Sequence, residues 1–429
     1  MVDPDSRERA YEDTAASGRH FRRNFALGVA NGAFYSGGLA FSESSTVLPV
    51  FVSLFTRSSV LIGLVGTLTN VGWLLPQLAV ARYAEHFPRK MRLYAAAAVL
   101  RISSWLCLAV SAAWAPRLGP NLYLLVFFVC LGSFSLTGGI SGLAFLDIVA
   151  KTIPPTRRGR YFGYRNFFSG IIASVAGLVV AHVLGDAVKF PFPRNYFVLF
   201  SMTFVFLVLA VACFLFVVEP EGPVKAERER TMGAYLSQVR RVISEDRTFR
   251  SFLYVMILAN TMSLSLPFYV VYARDVLKAP ESWVGVFLAI DMLFTLLANL
   301  AWGHIGDAKG YRIVIRACAF LSMMAPVVAL LSPSYAVFAL VFVLRGSGST
   351  GLGLARNNYV LEIAPIVRRP TYVGVLNTSL ALVMLLPVAG GVVIDISSYS
   401  VLFAITAALV FVSLLASSKL KEPRLASSV

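Results

Sequence analysis

Four ionisable side chains sit inside stretches that are otherwise almost continuously apolar: Glu43 in "AFSESSTVLP", Arg101 in "AVLRISSW", Asp291 in "VFLAIDMLFTLL" and Arg345 ahead of "GSGSTGLG". Burial disfavours the charged form of a carboxyl and hydration restores it. A carboxyl that alternates between dry and wet surroundings can therefore take up and release a proton. Asp291 is the first candidate for such coupling and Glu43, in a polar island ahead of Pro49, the second. The structural alternative for Asp291 is an ion pair with Arg345, which lies at matching depth, and a pair that opens on protonation would serve both ends. Arg345 is also a candidate ligand for an anionic substrate. Arg101 reads as structural, its long side chain snorkelling toward headgroups. Softer candidates for a substrate cavity are Asn31, Tyr35, Asn260 and Tyr269.

Other chemistries find no footing. The cysteines Cys107, Cys130, Cys213 and Cys318 stand singly in apolar runs, without metal-ligand or disulfide spacing. "GSGSTG" (346–351) matches a dinucleotide fingerprint in letters, but no strand precedes it. No phosphate-binding loop, metal cluster or nucleophile–base constellation is visible. The reading is therefore no enzyme, no cofactor and no metal.

The elements that hold these groups follow from composition. Of the 429 residues 57% are hydrophobic and only 14% charged, against about 25% charged in soluble domains. Twelve apolar runs approach the length of about 20 residues that crosses a bilayer as a helix. They lie near 25–54, 60–81, 93–114, 121–146, 161–184, 195–218, 251–273, 282–303, 313–331, 334–355, 371–394 and 399–417. Backbone groups in hydrocarbon must bond internally, and no period-2 alternation appears, so helices are expected. Within these runs Asp291, Arg345, Glu43 and Arg101 fall about 12–16 Å from the nearer end at 1.5 Å per residue, which is one central layer. An ionisable group there costs at least about 2.5–3.5 kcal/mol and is a functional candidate by default.

Of the 38 Lys and Arg, 30 fall in segments that face one side if the N-terminus is cytoplasmic, and 6 on the other. The positive-inside rule then puts both termini in the cytoplasm of a cell (inner or plasma) membrane. The net charge of +16 suits anionic headgroups rather than nucleic acid. The expected organisation is a tail (1–24), a six-helix bundle (25–218), a charged linker with an amphipathic helix around Met232–Ile243 (219–249), a second bundle (250–418) and a tail (419–429).

The halves repeat each other. "IPPTRRGRYFG" (153–163) lies over "APIVRRPTYVG" (364–374), pairing Arg158 with Arg369. "ARYAEHFPRK" (81–90) lies over "GHIGDAKGYR" (303–312), pairing Glu85 with Asp307 and Lys90 with Arg312. Parallel six-helix repeats are the mark of transporters whose two bundles rock about a central site. "GHIGDAKGYR" resembles the signature loop of the major facilitator superfamily, and "PPTRRGRYFG" resembles its loop between fourth and fifth helices; the likeness spans residues 25–418. The first-half copy has Ala81, Glu85 and Pro88 where glycine, aspartate and glycine are usual. The resemblance implies an all-α fold of twelve transmembrane helices in two pseudo-symmetric bundles, working by alternating access. It implies that Glu85, Arg89, Lys90, Gly303, Asp307, Gly310, Arg312, Arg158 and Arg369 act as cytoplasmic latches. Glycines at 303, 306 and 310 would permit close helix approach and positive φ.

The reading that follows is a monomeric secondary transporter among membrane lipids that exports a small amphipathic molecule against protons. Uptake or exchange of an organic anion on Arg345, a lipid flippase, and a receptor that kept the fold are the alternatives.

Overall fold

The computed structural model describes residues 20–84, 89–186, 188–221, 240, 242–365 and 369–422. Glu85, nearly all of the expected amphipathic linker helix and most of both tails lie outside the described residues. Among those described there is no strand. Among the described residues ten helices are long and apolar enough to cross a membrane, and a shorter apolar helix covers Ser59–Trp73.

The first span is broken. Helix α1 (Phe21–Leu39) tightens into a 3-10 turn (Ala40–Ser42), and α2 (Val47–Ser53) follows after Glu43–Thr46. Pro49 explains the interruption, because proline donates no backbone N–H and its ring clashes with the preceding turn. The spans α3 (Ser59–Ala84), α4 (Met91–Trp114), α5 (Pro120–Thr152), α6 (Pro155–Gly185) and α7 (Arg194–Leu215) complete the first half. Pro120 and Pro155 open their helices, where the missing N–H costs nothing.

The second half repeats the plan. Helix α8 (Arg247–Asn260), capped by the Asp246 carboxylate on the Phe249 amide, passes through a 3-10 turn (Thr261–Ser265) into α9 (Leu266–Asp275), with Pro267 at the restart. Then come α10 (Ser282–Lys309), α11 (Tyr311–Leu331), α12 (Tyr335–Ile363), the broken pair α13 (Arg369–Val383) and α14 (Leu386–Ile396), and α15 (Tyr399–Ser417). Packing follows the repeat as well. The pairs α4–α5, α4–α7, α1–α7 and α1–α6 correspond to α11–α12, α11–α15, α8–α15 and α8–α13.

The chain divides into two compact units, Met1–Glu43 with Leu68–Ala226, and Ser44–Thr67 with Glu227–Val429. The division follows contacts inside the second unit: α2 packs along α9, and α3 lies on α14. A Cβ on Gly63 would run into the Pro387 carbonyl, and one on Gly391 into the Ser59 carbonyl. Asp395 accepts the Ser59 amide proton at 3.0 Å. One core of the second unit gathers Phe249, Phe252, Cys318, Tyr359 and Tyr372; one in the first gathers Tyr94, Ala98, Ile148 and Phe214. Large apolar side chains such as Leu125, Leu178, Leu300 and Leu382 stay exposed, which hydrocarbon does not penalise.

Candidate functional site

Asp291 and Arg345 meet. The sequence places them ten and eleven residues into α10 and α12, and the helices approach closely because position 346 is glycine. A Cβ there would sit 2.6 Å from the Asp291 carbonyl oxygen and 3.1 Å from Thr295 Oγ1. Gly348 and Gly351 do the same against Ser322 and Trp302, so this small-residue run serves helix packing. The guanidinium donates through Nε to Asp291 Oδ1 at 2.9 Å and through Nη2 to Oδ2. Its Nη1 donates to Ser45 Oγ at 2.9 Å. Asp291 is 3% exposed. One arginine thus ties the α10 carboxylate to the broken part of the first span. Glu43 stands half-buried at the head of that break, in extended conformation after the 3-10 turn.

A second constellation lies wholly within the first unit. Between α1, α3, α4, α5 and α6 a cavity of about 250 Å³ is lined by Asn31, Tyr35, Trp73, Tyr94, Arg101 and Arg165, among others. Asn31 and Tyr35 are thereby brought to one cavity. Arg101 departs from the expected snorkelling: it is 3% exposed, donates to Ser141 Oγ at 2.8 Å and lies 4.7 Å from the Tyr35 ring centre. The hydroxyl of Ser141 and the face of Tyr35 hold the guanidinium inside the protein instead. Arg165 escapes the sequence reading because, only four residues into the apolar run 161–184, it counts with the basic residues of the preceding turn, whereas α6 begins at Pro155 and places it ten residues into the helix. Its Nη1 reaches Asn31 Oδ1 at 2.9 Å and the Gly28 carbonyl at 3.2 Å. Its guanidinium sits 4.4 Å from the Phe145 ring centre, and its stem fills the space a side chain at Gly32 would need. Glycine spacing on a first helix, opposite an arginine in the fifth, was the available signal.

In the second unit Asn260 turns back to the Met256 carbonyl at 2.8 Å. Tyr269, 2% exposed, stacks on Phe403 at 5.2 Å inside an aromatic cluster. Neither belongs to the first-unit cavity.

The repeated turns are held by acids that sequence reasoning missed. The Glu219 carboxylate, at the end of the sixth span, accepts the Lys90 amide at 2.9 Å and the Met91 amide at 2.8 Å, and pairs with Lys151 at 2.9 Å. It caps the N-terminus of α4, where unpaired amides and the helix dipole favour an anion. Glu422, after the twelfth span, sits against Gly310 and accepts the Arg312 amide at 3.3 Å. The Arg312 side chain reaches the Ser418 carbonyl at 3.0 Å. Asp307 accepts the Tyr311 hydroxyl at 3.0 Å, and Arg89 pairs with Glu221 at 3.2 Å on the surface. Arg158 caps the end of α5 through the Ile153 and Ala150 carbonyls. The side chain of Arg369 lies outside those described. The turn itself is shorter than its sequence suggests: α10 runs to Lys309, and Gly310 alone turns the chain, at φ +83°. Gly303 has open space around its Cβ position, so close approach does not explain it.

Twelve spans in two repeated halves, each half opening on a helix broken at midpoint, define a secondary-transporter fold. The chain belongs to the Major Facilitator Superfamily, whose profile matches residues 32–289 and 255–428. The multidrug resistance protein MdtG of Proteus mirabilis (strain HI4320) is 28% identical over 156 residues, a match spanning 35% of this chain and 38% of that protein's length. An auto-inhibited POT family peptide transporter resembles it with a TM-score of 0.72 at 12% identity, over 92% of this chain and 96% of that one. An inward-facing bacterial homologue of the iron transporter ferroportin gives 0.70 at 13% identity over 93% and 98%. A D-xylose-proton symporter gives 0.67 at 16% over 94% and 99%. At such identities these structures speak for the fold.

Proposed function

We propose that this member of a transporter family is a proton-coupled exporter of a small amphipathic compound, acting as a monomer in the cytoplasmic membrane with both termini inside. The observation that carries the reading is the buried Asp291–Arg345 pair with its third arm on Ser45. Protonating Asp291 removes one charge of the pair and weakens its hold on Arg345. Breaking a buried pair is costly while both partners are charged, so the proton sets when α10, α12 and the broken first span can change their contacts. The partial kinship with MdtG supports export of an amphipathic molecule. The Lys and Arg asymmetry supports the orientation.

Uptake of an organic anion on Arg345 fits less well, because two of that guanidinium's edges are already committed to Asp291 and Ser45. The test compares accumulation of ethidium and of carboxyfluorescein in cells carrying wild type, Asp291→Asn or empty vector, with and without a protonophore. The expected result is lowered accumulation of at least one dye by wild type, abolished by the protonophore and by Asp291→Asn at equal expression. Lowered accumulation indifferent to the protonophore would overturn proton coupling, and equal accumulation with vector would overturn export of such compounds.

A further inference from the structure

The first-unit cavity carries two guanidinium groups and no carboxylate among its lining residues. The described ion pairs of this unit engage Arg89, Lys151 and Lys189, and neither Arg101 nor Arg165 is among them. Each arginine rests one face on an aromatic ring, Arg101 on Tyr35 and Arg165 on Phe145. Such stacking orients a guanidinium and leaves its N–H edges for other partners. A guanidinium has five N–H donors. Ser141 takes one from Arg101, while its Nε is buried without an acceptor. Arg165 is held by Asn31 Oδ1 and the Gly28 carbonyl, neutral oxygens that position the cation without cancelling its charge.

A purely structural role accounts poorly for this arrangement. Helix packing needs neither charge, and two cations at membrane depth each carry an insertion cost of about 2.5–3.5 kcal/mol. A buried donor left unsatisfied adds to that cost. Groups that are expensive empty and become satisfied only when something arrives are what a binding site requires. What arrives must offer several anionic oxygens, since a guanidinium edge matches a carboxylate or a phosphate bidentately. Its remainder must be apolar or aromatic, because the walls beside the arginines are Trp73, Phe145 and Leu146. Trp73 lies over Gly138 and Gly142 of α5, with ring carbons 2.8 Å from where their Cβ atoms would be. The two glycines therefore make room for an aromatic wall rather than for a bend.

We infer that this cavity is an anion site, in which Arg101 and Arg165 bind the carboxylate or phosphate of an amphipathic molecule against the Tyr35–Trp73 wall. The inference rests on the transport reading and narrows its substrate: the exported compound is an amphipathic organic anion, and the anion-binding arginines are these two instead of Arg345. The anionic group has two sources, a soluble organic acid or an anionic lipid headgroup.

The experiment is equilibrium binding to the purified full chain, which needs no gradient, so its failure is distinct from a failure of proton coupling. In nanodiscs of neutral phosphatidylcholine, carboxyfluorescein binding is followed by fluorescence anisotropy, with ethidium as the cationic counterpart. Wild type is expected to bind carboxyfluorescein at least about tenfold more tightly than ethidium. Arg101→Gln and Arg165→Gln should each weaken it about tenfold or more, the scale of one lost charge-assisted contact. Octyl phosphate should compete and octyltrimethylammonium should not. Native mass spectrometry after reconstitution with phosphatidylglycerol identifies the source. Phosphatidylglycerol retained by wild type and lost from the double variant assigns the site to a lipid headgroup. Carboxyfluorescein binding unaffected by phosphatidylglycerol assigns it to a soluble acid. Preference of wild type for ethidium would overturn the inference without any variant having to fold. So would equal binding by folded Gln variants, or no binding of either anion.

Discussion

At the scale of single residues the Asp291–Arg345 pair decides most. Asp291 is buried and both of its carboxylate oxygens are held by Arg345, which is partly buried and also reaches Ser45, so removing either side chain breaks the unit. Asp291→Leu is expected to lower stability by about 3–5 kcal/mol, the usual cost of removing one member of a buried ion pair. The double variant Asp291→Leu/Arg345→Leu should recover much of that loss, a coupling readable in a double-mutant cycle by unfolding in detergent. Additive effects of the two changes would mean that the pair is not the unit described here. Glu219 and Glu422 show a different economy. Each carboxylate caps a helix start at a repeated turn, Glu219 at Lys90 and Glu422 at Arg312. The two are far from those turns in sequence and in unlike surroundings, which hides them from a motif search.

At the scale of elements the breaks matter more than the helices. Both first spans of the halves pass through a 3-10 turn and restart around a proline, Pro49 and Pro267, and Pro387 restarts the eleventh. The segment Ser44–Thr67 packs with second-half helices through contacts that no side chain separates, Gly63 on the Pro387 carbonyl and Gly391 on the Ser59 carbonyl. Gly63→Leu is expected to lower thermal stability and to cut dye export at least about tenfold at equal expression, because overpacking at a backbone contact has no cheap relief. Near-normal export by that variant would show the contact to be dispensable. The number and placing of spans are legible in the sequence because lipid forces long apolar helices, and the repeated turns are legible because charge gathers there. Arg165 is not, since a cation near the start of an apolar run looks like a loop residue until α6 is seen to begin at Pro155. Arg101 is visible as a residue, but its direction is set by Ser141 and Tyr35 on other helices. Tyr269 has the right place in sequence, yet Phe403 claims it.

At the scale of the whole molecule the chain is a Major Facilitator Superfamily transporter whose first unit holds a cavity lined by two arginines and whose second unit holds the Asp291–Arg345 ion pair. The claim at the centre is that a proton gradient, acting through Asp291, drives substrate. The most direct test is purified protein in proteoliposomes loaded with carboxyfluorescein, with a pH gradient imposed across the membrane and release of the dye followed. The account predicts that the gradient accelerates release by wild type severalfold over a matched vesicle without a gradient, and that Asp291→Asn abolishes the acceleration. Release that ignores the gradient, or acceleration that survives Asp291→Asn, would contradict it.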